Sequence, residues 1–264
     1  MKLSFRKVFW GCAAFALLGQ AVFFLQNQLS QPVFSSYPLQ EAPPYVVALD
    51  AGHGGFDTGA NYGKWNEVEI CESTVDELFR LLEQNPSFLP VRTRNNGEGA
   101  RISERVEQAV QAHASLLVSI HINLDPSNTQ SHGFECFPTP PGRKWSDKSM
   151  QFAQLVAQGM GEAGHRLRGS NGVRFAYYSG KRKLIVDAED TRERTLKSFG
   201  ILEEAMCPAI LIEQCFLSNQ NDRDQWANED GCKRAAEIYY KAICSYFSVE
   251  ETPQPQPDPV KEAW

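Results

Sequence analysis

Three short segments place chemistry-bearing side chains at the ends of apolar runs. They are Leu49-Asp50-Ala51-Gly52-His53-Gly54-Gly55, Ser119-Ile120-His121-Ile122-Asn123 and Ile212-Glu213-Gln214-Cys215-Phe216-Leu217-Ser218-Asn219. With Glu67 they offer two imidazoles and two carboxylates, enough for a three-ligand zinc site with an open position and a general base. His53 stands among glycines, whose backbone freedom lets an imidazole project from a tight loop. His121 ends the run Leu116–Ile120, where a satisfied core histidine is the competing reading. Glu213 ends the run Ala209–Ile212. A buried carboxyl there needs a reason, and a general base, a fourth ligand or half of a salt bridge would each supply one. Glu67 opens a helix, where a carboxylate also complements the helix dipole.

These residues need elements to carry them, and the pattern alternates between strand and helix. Tyr45–Asp50 reads as a short strand. Glu67–Glu83 reads as a helix with Cys71, Val75, Leu78 and Leu82 on one stripe, Asn66 as its N-cap and Glu69 completing a capping box. Phe88–Arg94 is a second strand and Ile102–His113 an amphipathic helix. Ser115–His121 and His132–Phe137 are strands, Lys148–Ala163 a helix and Pro208–Glu213 the last clear strand. Asn219 or Asn221 then caps a terminal helical region reaching about Phe247. Such alternation predicts a single α/β domain: a largely parallel twisted sheet flanked by helices on both faces. His53, His121 and Glu213 each end a predicted strand. In parallel strands they meet at the C-terminal edge of the sheet, where sites of such folds form.

The chain of 264 residues carries a net charge of −6 and no basic stripe, which argues against nucleic acid as a partner. Residues 1–25 place Lys2, Arg6 and Lys7 before the apolar run Val8–Leu25, the mark of an exported chain. The run is long for a signal peptide and short for a span, so an uncleaved membrane anchor and a peptide cleaved near Gly19-Gln20-Ala21 are both read here. Residues 26–44 form a polar linker, 45–248 the catalytic domain and 249–264 a Pro-rich disordered tail. Cys71, Cys136, Cys207, Cys215, Cys232 and Cys244 show no paired spacing and read as buried free thiols. Of the remaining histidines, His113 ends a helix, His132 lies near the site-bearing strands as a substrate contact, and His165, after Gly164, reads as solvated.

Taken in order, these motifs resemble the zinc-dependent N-acetylmuramoyl-L-alanine amidase family, the Amidase_3 catalytic domain, over about Val46–Phe247. The matching stretches are Leu-Asp-Ala-Gly-His-Gly-Gly-Phe-Asp-Thr-Gly-Ala at 49–60, Arg101–Ala109, Ser-Ile-His-Ile-Asn at 119–123, Gly-Phe-Glu at 133–135, Pro-Ala-Ile-Leu-Ile-Glu at 208–213 and Phe-Leu-Ser-Asn at 216–219. The resemblance implies one Zn²⁺ held by His53, Glu67 and His121, with Glu213 as the catalytic carboxylate. The resemblance also implies Glu67 over Glu69, since the helix register after Glu67 matches the family pattern. It implies cleavage of the amide between the lactyl group of N-acetylmuramic acid and L-alanine of the stem peptide. Peptidoglycan is then the substrate and an activator or division protein a partner; the exported chain is expected in the periplasm or cell envelope, anchored at the inner membrane if residues 1–25 stay uncleaved. The alternatives are a non-catalytic peptidoglycan-binding or partner-recruiting module, and another zinc peptidase or deacylase. Ala51 stands where the family commonly has proline. Gln214-Cys215 replaces a smaller pair, and Cys215 is expected to narrow the floor of the site. The charged segment 177–197, with Leu184-Ile185-Val186 inside it, reads as a solvated hairpin or helix, or as a lid over the zinc cleft.

Overall fold

The computed structural model describes residues 39–252. The anchor or signal peptide at 1–25, most of the linker and residues 253–264 lie outside the described residues. The described order is β1 (Tyr45–Ala51), β2 (Asn61–Tyr62), β3 (Trp65–Asn66), α1 (Glu67–Glu83), β4 (Phe88–Arg92), α2 (Ile102–Gln111), β5 (Leu116–Asn123) and β6 (Glu135–Pro138). Then follow α3 (Ser146–Glu162), β7 (Arg174–Ser179), β8 (Arg182–Asp187), α4 (Gly200–Glu204), β9 (Ala209–Phe216), a short turn α5 (Gln220–Asp222), a π-helical turn (Arg223–Ala227) and α6 (Glu229–Phe247).

β1, β4, β5, β6 and β9 build one sheet in the order β4-β1-β5-β9-β6. The first four run parallel and β6 is antiparallel at the edge. The alternation of strand side chains sorts this sheet into two packed faces. Val47, Leu49, Val118, Ile120, Ile210 and Ile212 join the cluster made with α1, α3 and α6. Val46, Ala48, Leu117, Ala209 and Leu211 join a smaller cluster with Ala109 of α2, Ile201 and Leu202 of α4, and Ala176 of β7. On that second face the apolar rows give way to Asp50, Ser119 and Glu213 toward the strand ends, all buried.

α1 forms where its stripe predicts, and the Asn66 side chain accepts the Glu69 N–H at 3.2 Å. The terminal helical region departs from expectation: it is broken. Asn219 caps only α5, the chain widens into the π turn, and Asn228 caps α6 anew by accepting from Gly231 N at 2.8 Å. The cause is buried Trp226, which the π turn directs into the core. His165 stacks on Trp226 with centroids 4.4 Å apart, and the Arg234 guanidinium covers it at 4.7 Å. His165 is therefore not solvated. It is 5% exposed, bonds the Gln214 carbonyl at 3.0 Å, and burial pushes its pKa down.

The segment 177–197 is partly the β7–β8 hairpin, packed on the second face. Arg143 ties its end down by donating to the carbonyls of Arg194 and Leu196. The described start of the tail is also tied: the Tyr240 hydroxyl accepts Thr252 N, and Asn85 donates to Glu250 O. The six cysteines outside the N-terminal segment are buried and free, as their spacing suggests. No described helix is long and apolar enough to cross a membrane. Trp226→Ala is expected to lower unfolding free energy by about 3–5 kcal/mol in urea denaturation, because it empties the contact that both His165 and the π turn are built around.

Candidate metal centre

Parallel register brings the strand ends together. Ala51 of β1 lies beside Ile120 of β5, and His121 of β5 lies beside Glu213 of β9. Beyond Ala51 the ladder continues through Gly52 N to the Ile120 carbonyl at 2.9 Å. Only glycine fits there: a Cβ on Gly52 would stand 2.5 Å from His121 Cε1. Gly59 is constrained likewise. It has a φ of +61°, and a Cβ would meet Glu67 Oε2 at 2.5 Å and His53 Cδ2 at 2.7 Å.

Glu67 Oε1 lies 3.3 Å from His53 Nε2 and 3.1 Å from His121 Nδ1. One ligand atom from each of the three residues falls within 4.8 Å of the others. The remaining polar atoms are occupied in a way that aims this trio. His53 Nδ1 meets Asp57 Oδ2 at 2.8 Å, which turns Nε2 inward. Glu67 Oε2 accepts Ala60 N–H at 2.7 Å, and Oε1 accepts Ile122 N–H at 2.9 Å. Burial alone would raise the Glu67 carboxyl, but hydrogen bonds with His121 and His53 outweigh it and hold the group well below the carboxylate range. The Glu67 hydrogen bond, reinforced by Asp57, raises His53 from 6.5 to about 9. Two imidazoles and a deprotonated carboxylate with secured outer partners suit a divalent cation.

Glu213 completes the arrangement. It is buried, and among the described residues no group bonds its Oε2. Burial pushes its pKa from 4.5 up to about 7, against the pull of His121. It shares with the trio a cavity of about 440 Å³ whose other wall is apolar, with Ile102, Leu124, Phe199 and Ile201.

The structure brings His53, Glu67, His121 and Glu213 to one place. Other expectations fare differently. Cys215 is fully buried in the helix-packed cluster and does not line the cavity, so it does not narrow the floor. His132 is absent from the lining and instead pairs with Gln130 and Arg166. No residue of 177–197 lines the cavity either, the wall there being Phe199–Ile201. Sequence reasoning passed over Asp57, four residues after His53, although a carboxylate at that distance is the usual orienter of a ligand imidazole.

A His–Glu–His trio facing a free buried carboxyl at the strand ends of an open α/β sheet is the equipment of a metal-dependent hydrolase. Residues 47–245 match the family described as N-acetylmuramoyl-L-alanine amidase, and the chain belongs to that family. It is 26% identical to an uncharacterised cell wall amidase of Bacillus anthracis over 84% of this chain and 38% of that protein. It is 26% identical to the probable N-acetylmuramoyl-L-alanine amidase AmiB of Haemophilus influenzae over 78% of this chain and 53% of the relative. The chain thus spans about half or less of the length of these two relatives. The catalytic domain of CwlV, an amidase from Bacillus (Paenibacillus) polymyxa var. colistinus, superposes with a TM-score of 0.62 at 28% identity, covering 78% of this chain and 99% of that one.

The raised carboxyl has a consequence for stability. A group whose folded pKa lies above its unfolded value stabilises the fold below the unfolded value and loses that contribution as pH climbs through the folded one. For Glu213 the window runs from 4.5 to about 7. In chelator-treated protein, Glu213→Gln should therefore match wild type near the bottom of this window and exceed it by roughly 3 kcal/mol above it. Paired denaturant titrations across pH measure this, since His53 titrates in both proteins and drops out of the difference.

Proposed function

We propose that this chain is an exported peptidoglycan amidase. It cleaves the bond between the lactyl group of N-acetylmuramic acid and L-alanine of the stem peptide, with Zn²⁺ held by His53, Glu67 and His121. The observation that carries this reading is Glu213: a buried carboxyl with an unbonded oxygen, beside His121 in the sheet and facing the trio. When bound, zinc supplies Lewis acidity toward the scissile carbonyl and toward water. The chain's own residues supply the rest. Asp57 keeps the His53 ring in one orientation, and Ala60 N and Ile122 N keep the Glu67 carboxylate in one plane. A carboxyl near neutrality exchanges protons in both directions, so Glu213 takes a proton from the attacking water and returns it to the departing amine. With a cation nearby, Glu213 would titrate lower and enter the cycle as the base. Ile102, Phe199 and Ile201 form the apolar wall against which a methyl-bearing acyl group packs.

Residues 45–248 are the catalytic domain in this reading. The basic-apolar segment 1–25 directs the chain to the envelope, as an anchor or a cleaved signal, and 26–44 spaces the domain from it.

The test is mass spectrometry of digested muropeptides alongside zinc analysis of the purified protein. Wild type should release stem peptides beginning with L-alanine and carry one zinc per chain. Glu213→Gln should keep the zinc and lose about 10²–10⁴ in kcat. His121→Ala should lose the zinc. Trimmed peptides would show a peptidase, and no product from a zinc-loaded protein would show a binding module.

A further inference from the structure

The ladder ends at Gly52 N, and three successive carbonyls, those of Ala51, Gly52 and His53, need partners outside the sheet. Two buried arginines provide them. Arg94 donates from Nε to Ala51 O at 2.9 Å and from Nη2 to Gly52 O at 3.1 Å. Arg105 donates from Nη1 to Ala51 O at 2.7 Å and from Nη2 to His53 O. Their side chains are 1% and 7% exposed. Each arginine is itself held by a different element. Arg94 Nη1 meets Glu72 of α1, the helix that carries Glu67, at 2.5 Å. Arg105 leaves α2, pairs with buried Asp50 at 2.8 Å and gives its Nε to Ala100 O. Asp50 is fixed in turn by the hydroxyls of Thr93 and Ser119.

The loop needs such restraint. His53 has a φ of 59°, the left-handed conformation that disfavours a residue with a Cβ by roughly 1–3 kcal/mol. Glycine on either side of it makes the alternatives easy to reach. Arg94 fills the space beside Gly54, where a Cβ would lie 2.7 Å from its Cζ.

We propose that Arg94 and Arg105 are positioning residues that act through the backbone: by clamping the carbonyls of residues 51–53 they hold His53 in the left-handed conformation that completes the zinc trio. The inference rests on the zinc reading above. The planar guanidinium fork is essential to it, because one ammonium brings the charge but does not span two carbonyls and a carboxylate.

The experiment uses the purified full chain, with zinc alone as the probe. Zinc affinity of wild type, Arg105→Lys, Arg94→Lys and Arg105→Ala is measured by competition with a fluorescent chelator, and the melting temperature of each is recorded with and without zinc. The lysine variants should bind zinc about 10–100-fold more weakly, the range typical for loss of an outer partner of a ligand, and should show a smaller zinc-induced rise in melting temperature. Wild-type affinity in both lysine variants, with only a lower zinc-free melting temperature, would mark the arginines as structural and overturn the proposal. So would failure of both lysine variants to fold. A wild type that binds no zinc would instead overturn the metal reading itself, and this inference with it.

Discussion

One buried carboxylate, Glu67, constrains the whole assembly. A carboxylate on the first turn of a helix, 3% exposed to water, is tolerable only if its oxygens find partners. Two come from the loop after β1, as the His53 imidazole and the Ala60 amide, and two from β5, as the His121 imidazole and the Ile122 amide. Satisfying that one group therefore fixes α1 against the sheet, sets the loop's path and decides how far β5 extends. At Gly52 and Gly59 glycine is required because backbone there must pass within contact of His121, His53 or Glu67 itself.

The sheet divides its labour by face. Facing α1, α3 and α6 it is mainly apolar, with Gln214 as a buried polar exception bonded to Thr74, Trp226 and Tyr239, and most of the core lies there. Facing α2 and the hairpin, period-two alternation delivers Asp50 beside Ser119 and, one step further along the sheet, Glu213 beside His121, placing buried polar groups at the edge. Asp50 and Ser119 are satisfied by each other and by Arg105 and Thr93. Glu213 keeps an unbonded oxygen. The same geometry thus yields support on one strand pair and reactivity on the next.

What was legible in the sequence follows from which forces are local. α1 could be read because stripe, cap and first-turn acid all lie within its own residues. His121 and Glu213 could be read because each interrupts an apolar strand that has no other use for a polar group. The clamp could not be. Arg105 sits on an amphipathic helix where an arginine ordinarily faces water, and its partners come from β1 and the loop beyond. His165 looked exposed beside Gly164 because Trp226, which covers it, is distant in the chain. For 177–197 a hairpin is among the readings the sequence allows, but its charge points to a solvated one rather than the packed β7–β8 pair. Its strands are settled by packing on Phe137 and Phe199, over whose rings Lys183 lies, and by Arg143 reaching across from before α3.

The strand order also carries a temporal message. β9 is made last of the sheet strands yet lies between β5 and β6, which precede it. Parallel pairings so distant in sequence close late, since the loop entropy comes before the contacts that offset it. The ligand-bearing parts, ending with β5, can meet while the chain is still emerging, but the carboxyl of Glu213 arrives only with the final strand. In the proposed reading, the hydrolase thus remains chemically incomplete until β9 has been made, a delay written into connectivity.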